Sequence, residues 1–206
     1  MPRLDPAPRL DRQAAHRQLV HLRTWLGDRD GFSEGQAARH LRQLSHLVPL
    51  IGMYGGNGYP ARHAFEVALA GLFRADYVAG EPGPIGRFVL VEFEPGEPFS
   101  LFSRGGTRQM RRWGRHLERG LSQIADWSWL KNDQQKAPTY RAAFESSYMT
   151  ETYVLVCGRG RGHADLELSR LHWRGSKSAI AGDPILIQTW DDLADHFERM
   201  LRLLDG

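Results

Sequence analysis

The stretch "GRFVLVEFEPGEP", residues 86–98, decides the fold, because its centre is apolar on both faces and its end is not. A continuous run such as Phe88–Val91 reads as a strand buried on both sides, which belongs in the middle of a sheet. Alternate side chains of a strand share a face, so Glu92 and Glu94 lie with Phe88 and Leu90, opposite Val89, Val91 and Phe93. The expected geometry has the last turn of this strand emerging at the sheet's edge, where charges reach solvent or a cation. Two carboxylates within a few ångströms repel, and one keeps its proton unless water or a cation relieves them. Two readings follow: solvated charges where a strand enters a loop, or the lip of a cation site.

Upstream, "HAFEVALAGLFRADYVAG" adds two strands, giving three at about 63–70, 72–79 and 86–94, with "GEPGPIG" favouring a hairpin between the last two. Asp76 falls inside the second of these, where an unpaired carboxylate is costly. Pairing through the hairpin carries Asp76 towards the end of the third strand. One aspartate and two glutamates there form a hard, oxygen-rich set suited to Mg²⁺ or Mn²⁺.

Downstream, the pattern predicts a long helix from about Thr107 to Lys131. Helical spacing places Arg108, Arg112, Arg115, Arg119 and Gln123 along one stripe, and Met110, Trp113, Leu117, Leu121, Ile124 and Ser128 opposite. The stripe reads either as a solvated face or as a set of planar forks for nucleic-acid phosphates. Trp127 and Trp129 read as core anchors. A fourth strand is expected at about 152–158, then a helix around 163–172, a strand at "PILIQTW" and a closing helix capped by Asp191 and running to about Leu204.

The N-terminal part supplies two more helices. One carries Leu19, Leu22, Trp25 and Leu26 and stops at Gly27; the next starts at Ser33, puts Glu34 in its first turn, lines up Ala37, Leu41, Leu44 and Leu47, and ends by Pro49. Helices outside and short strands inside make this an α/β fold around one mixed sheet, with residues 1–30 a helical extension and 31–206 the main domain.

Composition narrows the function classes. The 206 residues are 41% apolar and 25% charged, as expected of one globular unit. A single cysteine, Cys157, excludes a disulfide framework and any multi-thiolate zinc site, and fits a reducing compartment. No window approaches the roughly 18 apolar residues of a membrane span, so a cytoplasmic protein is expected. The net charge of +3 does not by itself imply a polyanionic partner. "CGRGRGH", residues 157–163, lacks the Lys-Ser/Thr ending of a phosphate loop and reads as a surface turn, although Arg159 and Arg161 could touch a DNA backbone.

The segments "SEGQAARHLRQLSHLVPLIG", "FRADYVAG", "FVLVEFEPGEPFSLFSRGG" and "LERGLSQIADWSWL", within about 33–158, together resemble the PD-(D/E)XK nuclease superfamily, and within it the Shedu-type anti-phage nuclease domain. The resemblance implies a restriction-endonuclease-like mixed sheet and a Mg²⁺- or Mn²⁺-dependent DNA endonuclease, oligomeric and bacterial. It further implies that Asp76 and Glu92 hold metal, that Glu94 stands where many members have lysine, and that Gln123 and the N-terminal Glu34 complete the catalytic set. Glu94 in that place must bind metal or accept a proton from water. The alternative is a nucleic-acid-binding or sensor module that keeps the fold without cleavage.

Overall fold

The computed structural model describes residues 4–107 and 110–206. Along the chain, β1 (Asp5–Pro6) leads to α1 (Arg12–Gly27), α2 (Glu34–Leu41) and a 3-10 helix (Val48–Gly56). Three strands follow: β2 (Arg62–Leu69), β3 (Phe73–Glu81) and β4 (Gly83–Phe93). Next come β5 (Phe102–Thr107), β6 (Met110–Trp113), α3 (Arg115–Gln134), α4 (Pro138–Phe144) and β7 (Ser146–Val156). The chain closes with α5 (Asp165–Lys177), β8 (Ala179–Ile180), β9 (Asp183–Gln188) and α6 (Trp190–Asp205).

Seven strands form one mixed sheet in the order β1-β2-β3-β4-β7-β9-β8, while β5 and β6 pair separately. Neighbours from β1 to β4 are antiparallel, but β4 runs parallel to β7 and β7 parallel to β9. Strand β4 is thus central, as its apolar run requires. Its two faces feed two apolar layers: Val89, Val91 and Phe93 meet Leu22, Leu41 and Phe197 on the side of α1, α2 and α6, whereas Phe88 and Leu90 join Leu117, Ile124 and Trp127 of α3. Each such fully buried side chain contributes about 1.5–3 kcal/mol of hydrophobic transfer energy.

Local signals explain the element ends. Asp11 caps α1 by accepting from Ala14 N–H, and Ser33 caps α2 in a reciprocal box with Gln36. Helix α2 ends at Leu41, earlier than its periodicity predicts; Leu44 and Leu47 stay buried in the turns that follow, and Pro49 sits in the first turn of the 3-10 helix instead of closing α2. Helix α6 is capped by Thr189, not Asp191, because Asp191 is drawn to Arg159.

The expected helix from Thr107 is corrected in its first third. Met110–Trp113 is a strand, and α3 begins only at Arg115. In the strand, Arg111 and Trp113 turn to the same side, where Arg111 Nε donates to Glu167 Oε1 at 2.6 Å and Trp113 lies under the guanidinium groups of Arg170 and Arg174. Gly114 then begins α3 with extended backbone, in a space where a Cβ would stand 2.2 Å from the Ser100 carbonyl oxygen. These tertiary contacts override a helical spacing that groups Met110 with Trp113. Trp127 is buried as a core anchor, but Trp129 is 59% exposed, contrary to expectation.

Candidate functional site

The site forms where β3 and β4 part. Their ladder is regular through Tyr77 and Val91. Beyond it, Phe93 N–H donates to the Asp76 Oδ2 carboxylate at 2.7 Å, so a side chain takes the place of a backbone carbonyl. Strand β4 continues alongside β7 instead, with Glu94 N–H donating to Val156 O at 2.8 Å. Asp76 therefore sits in the fork between the diverging strands.

Glu92 and Glu94 do not emerge into solvent: they are 2% and 0% exposed. That corrects the expected exposed lip and removes the solvated-charge reading. The cause is α3, which covers the end of β4 closely because Gly120 lacks a side chain; a Cβ there would stand 2.4 Å from Leu155 Cδ1 and 3.2 Å from Glu94 Cγ. The Trp190 indole N–H also donates to the Glu94 carbonyl at 2.9 Å, fixing the backbone.

The two glutamates meet different partners. Glu94 is held on both oxygens: Arg119 Nε donates to Oε1 at 2.7 Å, and His116 Nδ1 lies 3.0 Å from Oε2. Arg119 also reaches out to Glu34 Oε2 at 2.8 Å, so Glu34 in the first turn of α2 joins the site through an arginine. Glu92 Oε2, in contrast, is buried with no hydrogen-bond partner. Burial, then the charges of Asp76, Glu94 and Glu34, push the Glu92 carboxyl far above its ordinary range. Burial likewise raises Asp76, against the pull of the Phe93 N–H.

Helix α3 supplies one more polar atom, the Gln123 Oε1, buried and without a partner one turn beyond Arg119. Of the predicted arginines, Arg112 is exposed on β6, Arg115 is exposed in the first turn of α3, Arg119 is committed to the acids, and Arg108 lies outside the described residues. They do not form one helical stripe. His116 is the residue that sequence reasoning passed over. Its spacing of three from Arg119 and seven from Gln123 puts it on their face of α3, which was the available signal.

The donor set suits a hard cation in one respect and falls short in another. Asp76 and Glu92 offer carboxylate oxygens, and the unpartnered Glu92 Oε2 is an acceptor that a cation would satisfy. Among the described residues, however, no three His, Cys, Asp or Glu side chains are gathered so as to hold a metal ion. The third acid, Glu94, is occupied by Arg119 and His116.

Two weaker features resolve into structure. Arg159 is buried, pairs with Asp191 at 2.8 Å and donates to the Leu26 carbonyl at 2.8 Å. Arg161 donates to the carbonyls of Gly27 and Arg29. Both arginines of the glycine-rich turn thus tie down the end of α1. Among the described residues no helix is long and apolar enough to cross a membrane.

A family profile described as "Shedu protein SduA, C-terminal" matches residues 32–194. That span runs from the cap of α2 into α6 and contains every side chain of the site. No curated protein is similar enough to count as a match.

Proposed function

Since the chain belongs to the Shedu protein SduA C-terminal family, we propose that it is a metal-dependent DNA endonuclease acting in anti-phage defence, with its centre at the fork of β3 and β4. The observation that carries this reading is Glu92, a buried carboxyl with an unpartnered oxygen beside a second, half-buried acid, Asp76. Such a pair is costly to ionise alone, and a divalent cation is the natural compensation.

Asp76 and Glu92 are the residues that would hold Mg²⁺ or Mn²⁺, which when bound supplies Lewis-acid polarisation of the phosphoryl oxygen and a more acidic water. The remaining chemistry belongs to the chain. The Phe93 N–H fixes one oxygen of Asp76 and so holds the carboxylate at the fork. Glu94 positions rather than reacts: with both oxygens engaged, it holds Arg119 and the His116 ring in place. When His116 donates its Nδ1 proton to Glu94, its Nε2 carries a lone pair for a proton from water. Arg119, half in solvent, sets a positive charge beside the acids, a role open to the lysine of related sites.

The engagement of Glu94 by Arg119 and His116 also favours a second reading, a module that binds nucleic acid without cleaving it. Plasmid nicking separates the two. Wild-type protein with Mg²⁺ or Mn²⁺ is expected to convert supercoiled plasmid, and Asp76→Ala or Glu92→Ala to lose that activity. Equal cleavage by all three proteins would overturn the assignment of the centre. Calorimetric metal binding by wild type without cleavage of any DNA form would favour the second reading.

A further inference from the structure

A second polar site lies away from the acids, between α1 and α2. It is an open surface depression of about 250 Å³ lined by Trp25, Arg29, Gln36, Arg39, His40 and Gln43. No carboxylate lines it, and neither Arg29 nor Arg39 has an ion-pair partner among the described residues. Arg39 Nε donates to the Gly35 carbonyl at 3.1 Å and one Arg29 nitrogen to the Trp25 carbonyl at 3.0 Å, which orients both guanidinium groups and leaves their other donors open.

The pocket is built rather than accidental. Trp25 stacks on the His40 ring at 4.4 Å and carries the Arg29 guanidinium at 4.9 Å from its centroid. His40 is only 7% exposed, yet its Nε2 has no hydrogen-bond partner. Burial, with His21 and Arg29 adding, holds this imidazole neutral, so it forms an uncharged wall of the pocket. The carbonyls at the end of α1, which would otherwise repel an anion, are taken up by Arg159 and Arg161. Two permanent cations, a buried imidazole and two amides therefore converge with no acid to balance them.

We propose that this pocket binds a phosphate group, carried either by a free nucleotide or by a nucleic-acid strand. The planar forks of Arg29 and Arg39 match phosphate oxygens two at a time. The site is separate from the acid centre. Glu34 and Arg39 are five positions apart on α2, about 7.5 Å along its axis, and Glu34 turns to Arg119 while Arg39 turns to α1.

The test is a titration of the full chain, without divalent metal, by inorganic phosphate, by adenosine monophosphate and by a short DNA duplex. Arg39→Glu and Arg29→Gln are expected to weaken binding about tenfold or more, the loss of a charge-assisted pair, while Lys177→Gln, at the far end of α5, binds as wild type. Loss confined to the duplex assigns the phosphate to a strand; loss with phosphate or the mononucleotide assigns it to a free ligand. Arg39→Lys, which keeps the charge, retains part of the affinity, and unliganded melting temperatures confirm that the variants are folded. Binding that is absent, or equal in wild type and Arg39→Glu for all three ligands, overturns the proposal. This proposal does not rest on the nuclease reading: without divalent metal no cleavage enters the assay, and failure of that reading leaves the phosphate and mononucleotide arms unchanged.

Discussion

Burial and the charges of neighbouring acids both oppose ionisation of Glu92, and its pH behaviour follows. Its folded pKa is pushed up to about 9, so between the ordinary carboxylate value and that point the unfolded chain binds fewer protons than the native one. Stability therefore is fully present at low pH and falls as pH rises through neutrality. Glu92→Gln, which stays neutral, is expected to flatten that decline and to raise the melting temperature at pH 8 by about 2–4 °C or more. Melting curves across pH 5–9 check this; a mutant curve parallel to wild type would mean that Glu92 is ionised and compensated. Much of this residue was legible beforehand. Period-two alternation placed Glu92 and Glu94 on the face of Phe88 and Leu90, and the high cost of an unpaired Asp76 pointed to a special site. Their burial was not legible, because it depends on α3 lying close over β4, which Gly120 allows and no local pattern reports.

At the scale of elements, the segment from Met110 to Gln134 shows where periodicity fails. A spacing of three and four ran on into a region whose actual conformation is set by Arg111 on Glu167 and Trp113 under two arginines, partners more than fifty residues apart in sequence. The arginines consequently divide by role. Arg112 on β6 and Arg115 at the start of α3 are exposed and open to a backbone phosphate, whereas Arg119 is an ion-pair partner within the site. Reversing Arg112 and Arg115 to glutamate is expected to weaken DNA binding at every sequence and to reduce the salt slope by about one for each phosphate no longer neutralised. Fluorescence anisotropy over a series of salt concentrations measures it, and an unchanged slope would mark both as plain solvated surface.

For the molecule as a whole, the mixed sheet could be read from its central strands, since Phe88–Val91 and Val154–Cys157 are apolar on both faces. The short strands β1 and β8 and the single pair β5–β6 escaped because they bury too little to leave a periodic trace. So did the clasp that joins α1 to the body. Arg159 leaves β7, pairs with Asp191 at the start of α6 and takes the carbonyls of Leu26 and Arg29 at 2.8 and 3.2 Å. Removing it takes the ion pair from a partly exposed carboxylate, which keeps the Gly160 N–H, and leaves the Leu26 and Arg29 carbonyls without this donor. Arg159→Ala is expected to cost about 1.5–3 kcal/mol, the loss of hydrogen bonds from a charged group, read from urea denaturation, and a loss under about 1 kcal/mol would show that solvent replaces the arginine.

The grip of Arg119 and His116 on Glu94 also constrains how this chain can change over time. A lone Glu94→Lys substitution would press a buried ammonium against the Arg119 guanidinium, so the step to a lysine at this position is blocked from this background. Reversing polarity at both positions, Glu94→Lys with Arg119→Glu, would keep the attraction while exchanging its ends. Stability should collapse in the single variant and recover in the double one, an interaction energy that a double-mutant cycle isolates. Positions 94 and 119 would then be inherited as a pair, and an acid at the one forecasts a base at the other.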